Sequence, residues 1–547
     1  MANDQTSGNA RPVQDENTPV ALKPWTEWQK IAFRIAFIFF ISICIPNSAE
    51  WYKQVAGIDW TNLHYRDLYD IARFGSGLNI FGNTIFGNPL AGYANWIITL
   101  LVAIAGGLLW TVIDKRRKPE PQDYNLLYYW LRAIVRYRAA IGIIGFGFTK
   151  LLPVQMPYPS IGLLNTDFGD FTAQKIYWLS IGIVPWYQVF AGVVEIGAGT
   201  LLFFRRTTLL GAVLLFGALG DIVYVNFAYD GGVHVYSSYF VLLSTFLIVH
   251  YVPQLYRLLI LEKPARQLSY YPVFSTPWQF TRIGVKTATI GVFLVLLFYL
   301  QYVNFLYDPY KQPATKGISK LRGYYNVTTF RLNGKEIPYS PVDTVRWQEA
   351  TFEKWTSLTY KVNRPTPLDL SNGGGDPQRD INRTFELTGT AGGRRVFHYL
   401  ADTVDNVLYL QDKYKAIPDR RNVVAGAGGD GSGNGAPPEQ RIDTEPKKKG
   451  GIYDDQWISK TAWEHIGDEV EKIDPRAAST RRDREFASAG KKFDKRKRMV
   501  LKFTTTDGSR VVLEGLDENQ DSLYVVLDRA ERKYALSEST LVAGKYE

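Results

Sequence analysis

Two carboxylates inside apolar segments are the residues of this sequence whose chemistry most needs an explanation. Glu195 lies in the apolar segment 183–204, and Asp221 lies in the segment 208–229. Placing a carboxylate at the centre of a membrane helix costs about 2.5–3.5 kcal/mol, so each acid needs a partner or a function. At a rise of about 1.5 Å per residue, both acids lie about 12–13 Å from the segment ends that meet the same membrane face. Their matched depth predicts that they face each other or a common cavity.

Three further polar residues belong to the same predicted arrangement. Lys150, at the end of the segment 131–152, is a candidate counter-charge, and Asn226 and Tyr187 are candidates for the mouth of the cavity. Two neighbouring carboxyls in a low dielectric do not both ionise cheaply, so one would hold a proton. A proton-carrying or polar-ligand site is one interpretation. The other is structural, because glycines beside both acids let helices approach closely enough for the acids to hydrogen-bond across the contact.

The scarcity of cysteine and histidine excludes several classes of chemistry. A single cysteine, Cys44, rules out an intrachain disulfide, a Cys-x-x-Cys redox pair and a cysteine-ligated metal site. Of five histidines only His250 falls in an apolar segment, and no phosphate loop, nucleophile elbow or His-Glu-x-x-His motif is present. We therefore predict no metal and no resident cofactor, and we identify no catalytic residue.

The elements that must position these residues are membrane helices. After a polar leader, 1–28, the sequence has seven apolar segments, each near the roughly 20 residues that cross a bilayer. They are 29–45, 95–113, 131–152, 183–204, 208–229, 235–252 and 283–304. Basic flanks fall on alternate loops, so the positive-inside rule orients all seven segments consistently. We predict a multi-pass membrane protein with a disordered, cytoplasmic N-terminus.

The third segment begins with a basic stripe. Arg132, Arg136 and Arg138 follow one another at its start, near the predicted cytoplasmic face. Contact with anionic lipid headgroups is the expected role of such a stripe. Membrane lipids are therefore among the predicted partners.

Beyond residue 310 the pattern changes to the period of two that is typical of β-strands. The stretch YYNVTTFRLNGKEI alternates β-rich residues up to a hairpin signal at Asn333-Gly334. We predict an extracytoplasmic antiparallel β domain, 310–547, that closes into a small barrel and so removes its exposed strand edges. A flexible basic insertion interrupts it at about 414–498. Its run 481–498 has nine basic and three acidic residues, which predicts a solvated loop.

That basic run is a poor candidate for binding nucleic acid. It has only Phe486 and Phe493 as aromatic residues, too few for the base-stacking platforms that single-stranded nucleic acids need. The predicted location of the domain, outside the cytoplasm, points the same way. We predict no nucleic-acid partner.

Residues 139–252 resemble the DoxX-like family of small four-helix membrane proteins. The resemblance rests on IGIIGFGFTKLLPVQMPYPS and on FAGVVEIGAGTLLFFRRTTLLGAVLLFGALGDIVYVNFAYD. The positions that match the family's style are Gly142, Gly145, Lys150, Glu195, Gly199 and Arg206. The resemblance implies a four-helix core, 131–260. Two membrane helices with an external loop, 29–130, would precede it, and a basic loop with a seventh helix, 261–309, would follow.

The resemblance also implies a location, the bacterial inner membrane, and a ligand beside the acids, a quinone or a lipid. It implies functions as well. Some DoxX-like proteins are membrane subunits of quinone-linked oxidoreductases or of oxidative-stress complexes. We predict an accessory or docking subunit of a membrane complex, not an enzyme by itself, whose β domain contacts a protein partner on the extracytoplasmic side. One alternative is a quinone-linked redox component that relays protons through the buried carboxylates. The other is a small-molecule transporter.

Overall fold

A computed structural model describes residues 24–75, 77–78, 91–117, 123–264, 270–366, 368–370, 373, 377–414, 457–489, 496–537, 539 and 541–546. The N-terminal part of the chain is α-helical, and the C-terminal part is an antiparallel β-barrel. This confirms the predicted combination of a helical bundle and a β domain. The predicted leader lies mostly outside the described residues, which begin shortly before the first helix.

The helices of the bundle follow the apolar segments, with shorter helices between them. They are α1 (Glu27–Cys44), α2 (Ala49–Ala56), α3 (Tyr65–Ile71), α4 (Ala91–Arg117), α5 (Asn125–Leu151), α6 (Ile161–Leu164), α7 (Ala173–Gly182), α8 (Pro185–Leu202), α9 (Thr208–Ala228), α10 (His234–Val249), α11 (Val252–Leu259), α12 (Thr276–Ile290) and α13 (Leu297–Tyr307). A π-helical stretch, Gly291–Leu296, joins α12 to α13. The chain therefore continues as one helix through both.

Several of these helices are long and apolar enough to cross a membrane. Three qualify alone: Gly92–Arg117, Arg205–Ala228 and Thr276–Tyr307. Three bent pairs, α1 with α2, α7 with α8 and α10 with α11, raise the number to six if each pair is one span. The predicted third span, α5, has 27 residues but is not among them, and it carries three arginines and a lysine. A membrane protein is thus supported, whereas the count of seven spans is not confirmed.

Helix α5 lies at the centre of the bundle and contacts α1, α8 and α10. Its buried residues, such as Val135, Ala139 and Ile143, belong to the main apolar core. Helix α3 also reaches α5, because the ring of Tyr69 lies where a side chain at Gly145 would be. The predicted external loop between the first two spans is therefore partly packed into the bundle.

In the described part of the β domain there are nine strands, eight of which close into a barrel. They are β1 (Gly323–Leu332), β2 (Lys335–Glu336), β3 (Glu349–Phe352), β4 (Ser357–Lys361), β5 (Arg394–Asp402), β6 (Val407–Asp412), β7 (Arg498–Thr504), β8 (Arg510–Leu516) and β9 (Ser522–Arg529). Neighbours in sequence pair antiparallel from β3 to β9, and β1 pairs with both β3 and β9. Strand β2 pairs only with β1, in the predicted hairpin, where Asn333 and Gly334 both have positive φ. The predicted closure is confirmed.

Aromatic rings fill the interior of the barrel. Trp347 and Tyr360 stack with ring centres 3.9 Å apart, and Phe397 stacks on the other side of Tyr360. Strands alternate buried and more exposed residues, as in β9, so the apolar side chains point inward. A barrel that spans a membrane has the opposite arrangement, with its apolar side facing lipid. The outer face of this barrel is therefore suited to contact with water and not with lipid.

The described part of the predicted flexible insertion is folded. Residues 415–456 lie outside the described ranges, but α14 (Lys460–Ile466), α15 (Glu469–Lys472) and α16 (Thr480–Ala489) follow them. Ile458, Ala462 and Ile466 pack against strands β5 and β6, and Phe486 packs with Tyr307 of α13. The prediction of a solvated loop at 481–498 is wrong for its first half, because α16 is held between the barrel and the bundle.

Candidate functional site

Glu195 and Lys150 form an ion pair inside the bundle. The Nζ atom of Lys150 lies 2.7 and 2.8 Å from the two carboxylate oxygens of Glu195, whose side chain is only 1% exposed. The pair connects α5 to α8 where the helix backbones approach most closely. A Cβ atom on Gly192 would lie 2.4 Å from the backbone nitrogen of Leu151. Glycine is required there, and the close approach brings the two charged groups together.

The other three predicted site residues do not join this pair. Asp221 is exposed on α9 and takes no part in the ion pair, whereas a cavity shared by the two acids stays a prediction. The side chain of Asn226 donates to the carbonyl of Ile222 and accepts from the backbone of Val233, and so holds the turn between α9 and α10. Tyr187 is exposed and contacts Phe190 on its own helix.

The Lys150–Glu195 pair has the geometry of a structural connection. Both carboxylate oxygens of Glu195 accept from the ammonium group of Lys150. The partner in this pair is therefore a cation, and not a second carboxyl that would share a proton. A buried ion pair contributes little net stability, but losing one partner leaves an uncompensated charge in a low dielectric. What the pair can do chemically is to fix the register of α5 against α8.

A second buried ionic cluster joins the end of α13 to the barrel. We call it the junction. The guanidinium of Arg383, fully buried, contacts the carboxylate of Asp308 just after α13 and lies 3.4 Å from Asp380. It also donates to the carbonyl of Gln312 at 2.8 Å. Asp380 in turn accepts from the backbone nitrogens of Ala314 and Thr315, each at 2.8 Å.

Burial shifts the pKa of several groups in the junction. Glu469 accepts from the backbone nitrogen of Asp380 at 2.8 Å, and burial raises the pKa of Glu469 to about 8. Burial lowers the pKa of the nearby His398 to about 4. Asp380 keeps a pKa below its usual value, because Arg383 and His398 offset its burial. At neutral pH the junction therefore contains an ionised Asp380, a neutral His398 and a largely protonated Glu469.

The segment between α5 and α8 makes a second attachment of the bundle to the barrel, after the junction. Glu353, at the end of β3, accepts from the backbone nitrogens of Ile161 and Gly162, and burial raises the pKa of its carboxyl to about 7. Lys361 of β4 lies 2.8 Å from Asp167. Because this segment, the end of α13 and the barrel are in contact, the helix ends that they follow lie on the barrel side of the bundle.

Helix α16 of the β domain makes the third attachment, which is to α3 of the bundle. Arg481 lies 2.6 Å from Asp70 and 3.4 Å from Asp67, so the basic run finds its acidic partners within the same chain. Sequence analysis missed this contact. The signal was the four-residue spacing of Arg66 and Asp70, which form an ion pair at 3.2 Å along one face of α3.

One group of side chains in the described ranges could hold a metal ion. Donor atoms of Asp402, Asp405 and His465 lie within 4.8 Å of one another. The Nδ1 atom of His465 lies 2.9 Å from Asp402, and this hydrogen bond raises the pKa of the imidazole. The contact joins α14 to the turn between β5 and β6, so it has a structural explanation. The absence of a metal stays a prediction.

With the geometry established, the chain was compared with protein-family models, with curated proteins and with solved structures, and none matches. The DoxX-like resemblance therefore stays a prediction.

Proposed function

We propose that this protein is an accessory or docking subunit of a membrane complex, whose barrel presents a binding surface to a protein partner. The observation that carries the proposal is the way the barrel is held. The junction, the loop after α5 and helix α16 each attach it to the helical bundle through buried or partly buried ion pairs and hydrogen bonds. A head fixed at several points suits the display of one surface in one orientation.

The filled interior of the barrel favours a role for its outer surface. Eight-stranded barrels that carry a ligand keep room for it inside, whereas stacked aromatic rings occupy this interior. Barrel-borne binding would then take place on loops. Loops on a rigid scaffold are the usual place for recognition.

The loop between β2 and β3 is the best candidate for the contact. It lies at the end of β1 farther from α13, and Trp347 anchors it inside the barrel. Tyr339, Val342 and Val345 are 68%, 77% and 46% exposed on this loop. Clustered exposed apolar residues on an otherwise polar surface indicate an interaction site.

Purification in mild detergent tests this proposal. We expect a second chain at constant stoichiometry with the wild type, and its loss from the variant Tyr339→Asp/Val342→Asp. Val404→Asp, at an equally exposed position on the turn between β5 and β6, is the matched control and should keep the partner. A clean monomer from the wild type, or equal loss in both variants, would contradict the docking role.

The cellular location belongs to the same proposal. Basic residues concentrate on the ends of the bundle away from the barrel, which supports a bacterial inner-membrane protein with its barrel outside the cytoplasm. The quinone-linked alternative and the transporter both stay predictions. Asp221 does not pair with Glu195, so a relay between these two carboxyls lacks support.

A further inference from the structure

A cleft lined by three arginines lies at the end of the bundle opposite to the barrel. We call it the arginine cleft. It lies between α5, the turn from α8 to α9, α10 and the chain just before α12. Its lining residues are Tyr129, Arg132, Ala133, Arg136, Arg205, Thr208, Leu247 and Tyr271. Arginines thus come from two separate elements, α5 and the turn.

The three arginines are held in place by neutral groups. Arg132 donates to the hydroxyl of Tyr251 at 3.0 Å, and Arg136 donates to Thr208 at 3.3 Å. The guanidinium of Arg205 stacks on the ring of Tyr271, 3.6 Å from its centre. Hydroxyl groups and aromatic faces position a guanidinium without neutralising it.

Within the described ranges, no carboxylate compensates the arginine cleft. Among the residues that the structure describes, none of the three arginines forms an ion pair with an acid, whereas Arg34 at the same end is paired with Asp114. The Nε atoms of Arg132 and Arg136 are buried without a hydrogen-bond partner. Three cations without an acidic partner among the described residues therefore line one cleft, and an oxyanion would compensate them.

Arg138 shows that the cleft is more than a run of basic residues. It was predicted in one stripe with Arg132 and Arg136, but it turns away into the core. There its guanidinium lies 4.1 Å from the ring centre of Phe74 and 5.0 Å from that of Tyr239. Of the three arginines in the stripe on α5, only Arg132 and Arg136, which are one helical turn apart, line the cleft.

We propose that the arginine cleft binds the phosphate headgroup of an anionic phospholipid. Guanidinium groups match phosphate oxygens in geometry and charge, and basic pockets between membrane helices bind such headgroups. Tyr129 and Tyr271 line the cleft, as aromatic residues do at the level of lipid headgroups. Exposed apolar residues of α9 beside it, Leu210 and Val213, offer a surface for acyl chains. The site does not depend on the proposed docking function.

Native mass spectrometry of the full chain, released from detergent and titrated with lipid, tests the site. Phosphatidylglycerol should bind the wild type at one tight site, and Arg132→Gln/Arg136→Gln/Arg205→Gln should weaken that binding on the order of a hundredfold. The matched control is Arg116→Gln/Arg117→Gln/Arg257→Gln. It removes the same charge from exposed positions at the same end of the bundle and should bind like the wild type.

Two further probes distinguish the source of the phosphate. Phosphatidylcholine, which has no net charge, and inorganic phosphate, which has no acyl chain, should each bind much more weakly. Equal binding of either probe, or equal weakening in the control variant, would overturn the proposal. Thermal unfolding checks that each variant is folded. If the triple variant is not, Arg205→Gln alone, at an exposed position, should still weaken phosphatidylglycerol binding, and unchanged binding would overturn the site.

Discussion

The cations at the two ends of α5 differ in whether they are paired with acids. At the barrel end Lys150 meets Glu195 at 2.7 Å, and the junction beyond it pairs Arg383 with two aspartates. At the other end Arg132 and Arg136 have no acidic partner among the described residues. Both ends are rich in ionisable groups. Among the described residues, these cations meet acids only at the barrel end.

The difference separates structural charges from binding charges. A compensated pair fixes how elements pack and has no remaining demand for a ligand. An uncompensated cluster persists only if water solvates it or a ligand supplies the opposite charge. Glu195 belongs to the structural class, whereas Arg132 and Arg136, whose sequence resembles an ordinary membrane flank, belong to the binding class.

Breaking the compensated pair should have the largest effect. Lys150→Met is expected to lower the free energy of unfolding by about 3–5 kcal/mol, because it leaves Glu195 buried without a counter-charge. Chemical unfolding in detergent, followed by tryptophan fluorescence, measures the change. The double variant Lys150→Met/Glu195→Leu should recover most of the loss, since no charge is then left unpaired.

The opposite end of α5 supplies the control for this prediction. Arg136→Gln, measured in lipid-free detergent, should leave stability within about 1 kcal/mol of the wild type, because it leaves no acid unpaired. A loss there as large as that of Lys150→Met would remove the distinction between the two ends. So would a double variant at the pair that stays as unstable as the single one.

Glycine substitutions on α8 should have a smaller effect and sharpen the account of the pair. Gly192→Ala would place its Cβ atom 2.4 Å from the backbone of Leu151. Overpacking of this kind costs about 1–3 kcal/mol. Gly197→Ala, one and a half turns along the same helix, meets nothing within 4 Å and should be neutral or gain up to about 1 kcal/mol from helix propensity. Equal losses in both variants would show that the close approach of α5 and α8 is not what matters.

The same glycines show how far the sequence could lead. Apolar length and strand alternation predicted the helices and the closed barrel, because those patterns are local. Sequence analysis treated five glycines alike as places of close approach, and only two of them are. Gly192 and Gly199 lie against α5, whereas Gly197, Gly217 and Gly220 have nothing within 4 Å of an added Cβ atom. Which face of a helix meets which neighbour depends on packing between distant segments. The pairing of Glu195 with Lys150 and the exposure of Asp221 were decided at that level.

The junction was harder still to foresee. Asp308, Asp380 and Arg383 lie in irregular segments, where no period indicates which side chain is buried. Strands β3 and β4 were also missed, because each has five residues or fewer and they enclose only a short turn. A pattern of this length is too short to distinguish from a loop.

The smallest expected effect is a pH dependence at the barrel end. Glu353 has a pKa of about 7 in the folded protein against a usual value of 4.5, because burial favours its neutral form. Between these values the folded state holds a proton that the unfolded state has lost. Stability from this group is therefore fully present below the lower value and is lost as the pH rises through the higher one.

Melting temperatures at about pH 5 and about pH 8 measure this dependence. Glu353→Gln should reduce it, since the amide does not titrate, whereas the part that comes from Glu469, whose pKa burial also raises, should remain. Glu336→Gln, at an exposed position in β2, should leave it unchanged. Glu353 accepts two backbone hydrogen bonds from the segment between α5 and α8, so the group whose ionisation costs stability lies where the barrel meets the bundle. The arginine cleft lies at the other end of α5. Its binding of phosphatidylglycerol should stay constant over the same range, and a parallel change would mean that the two ends are coupled.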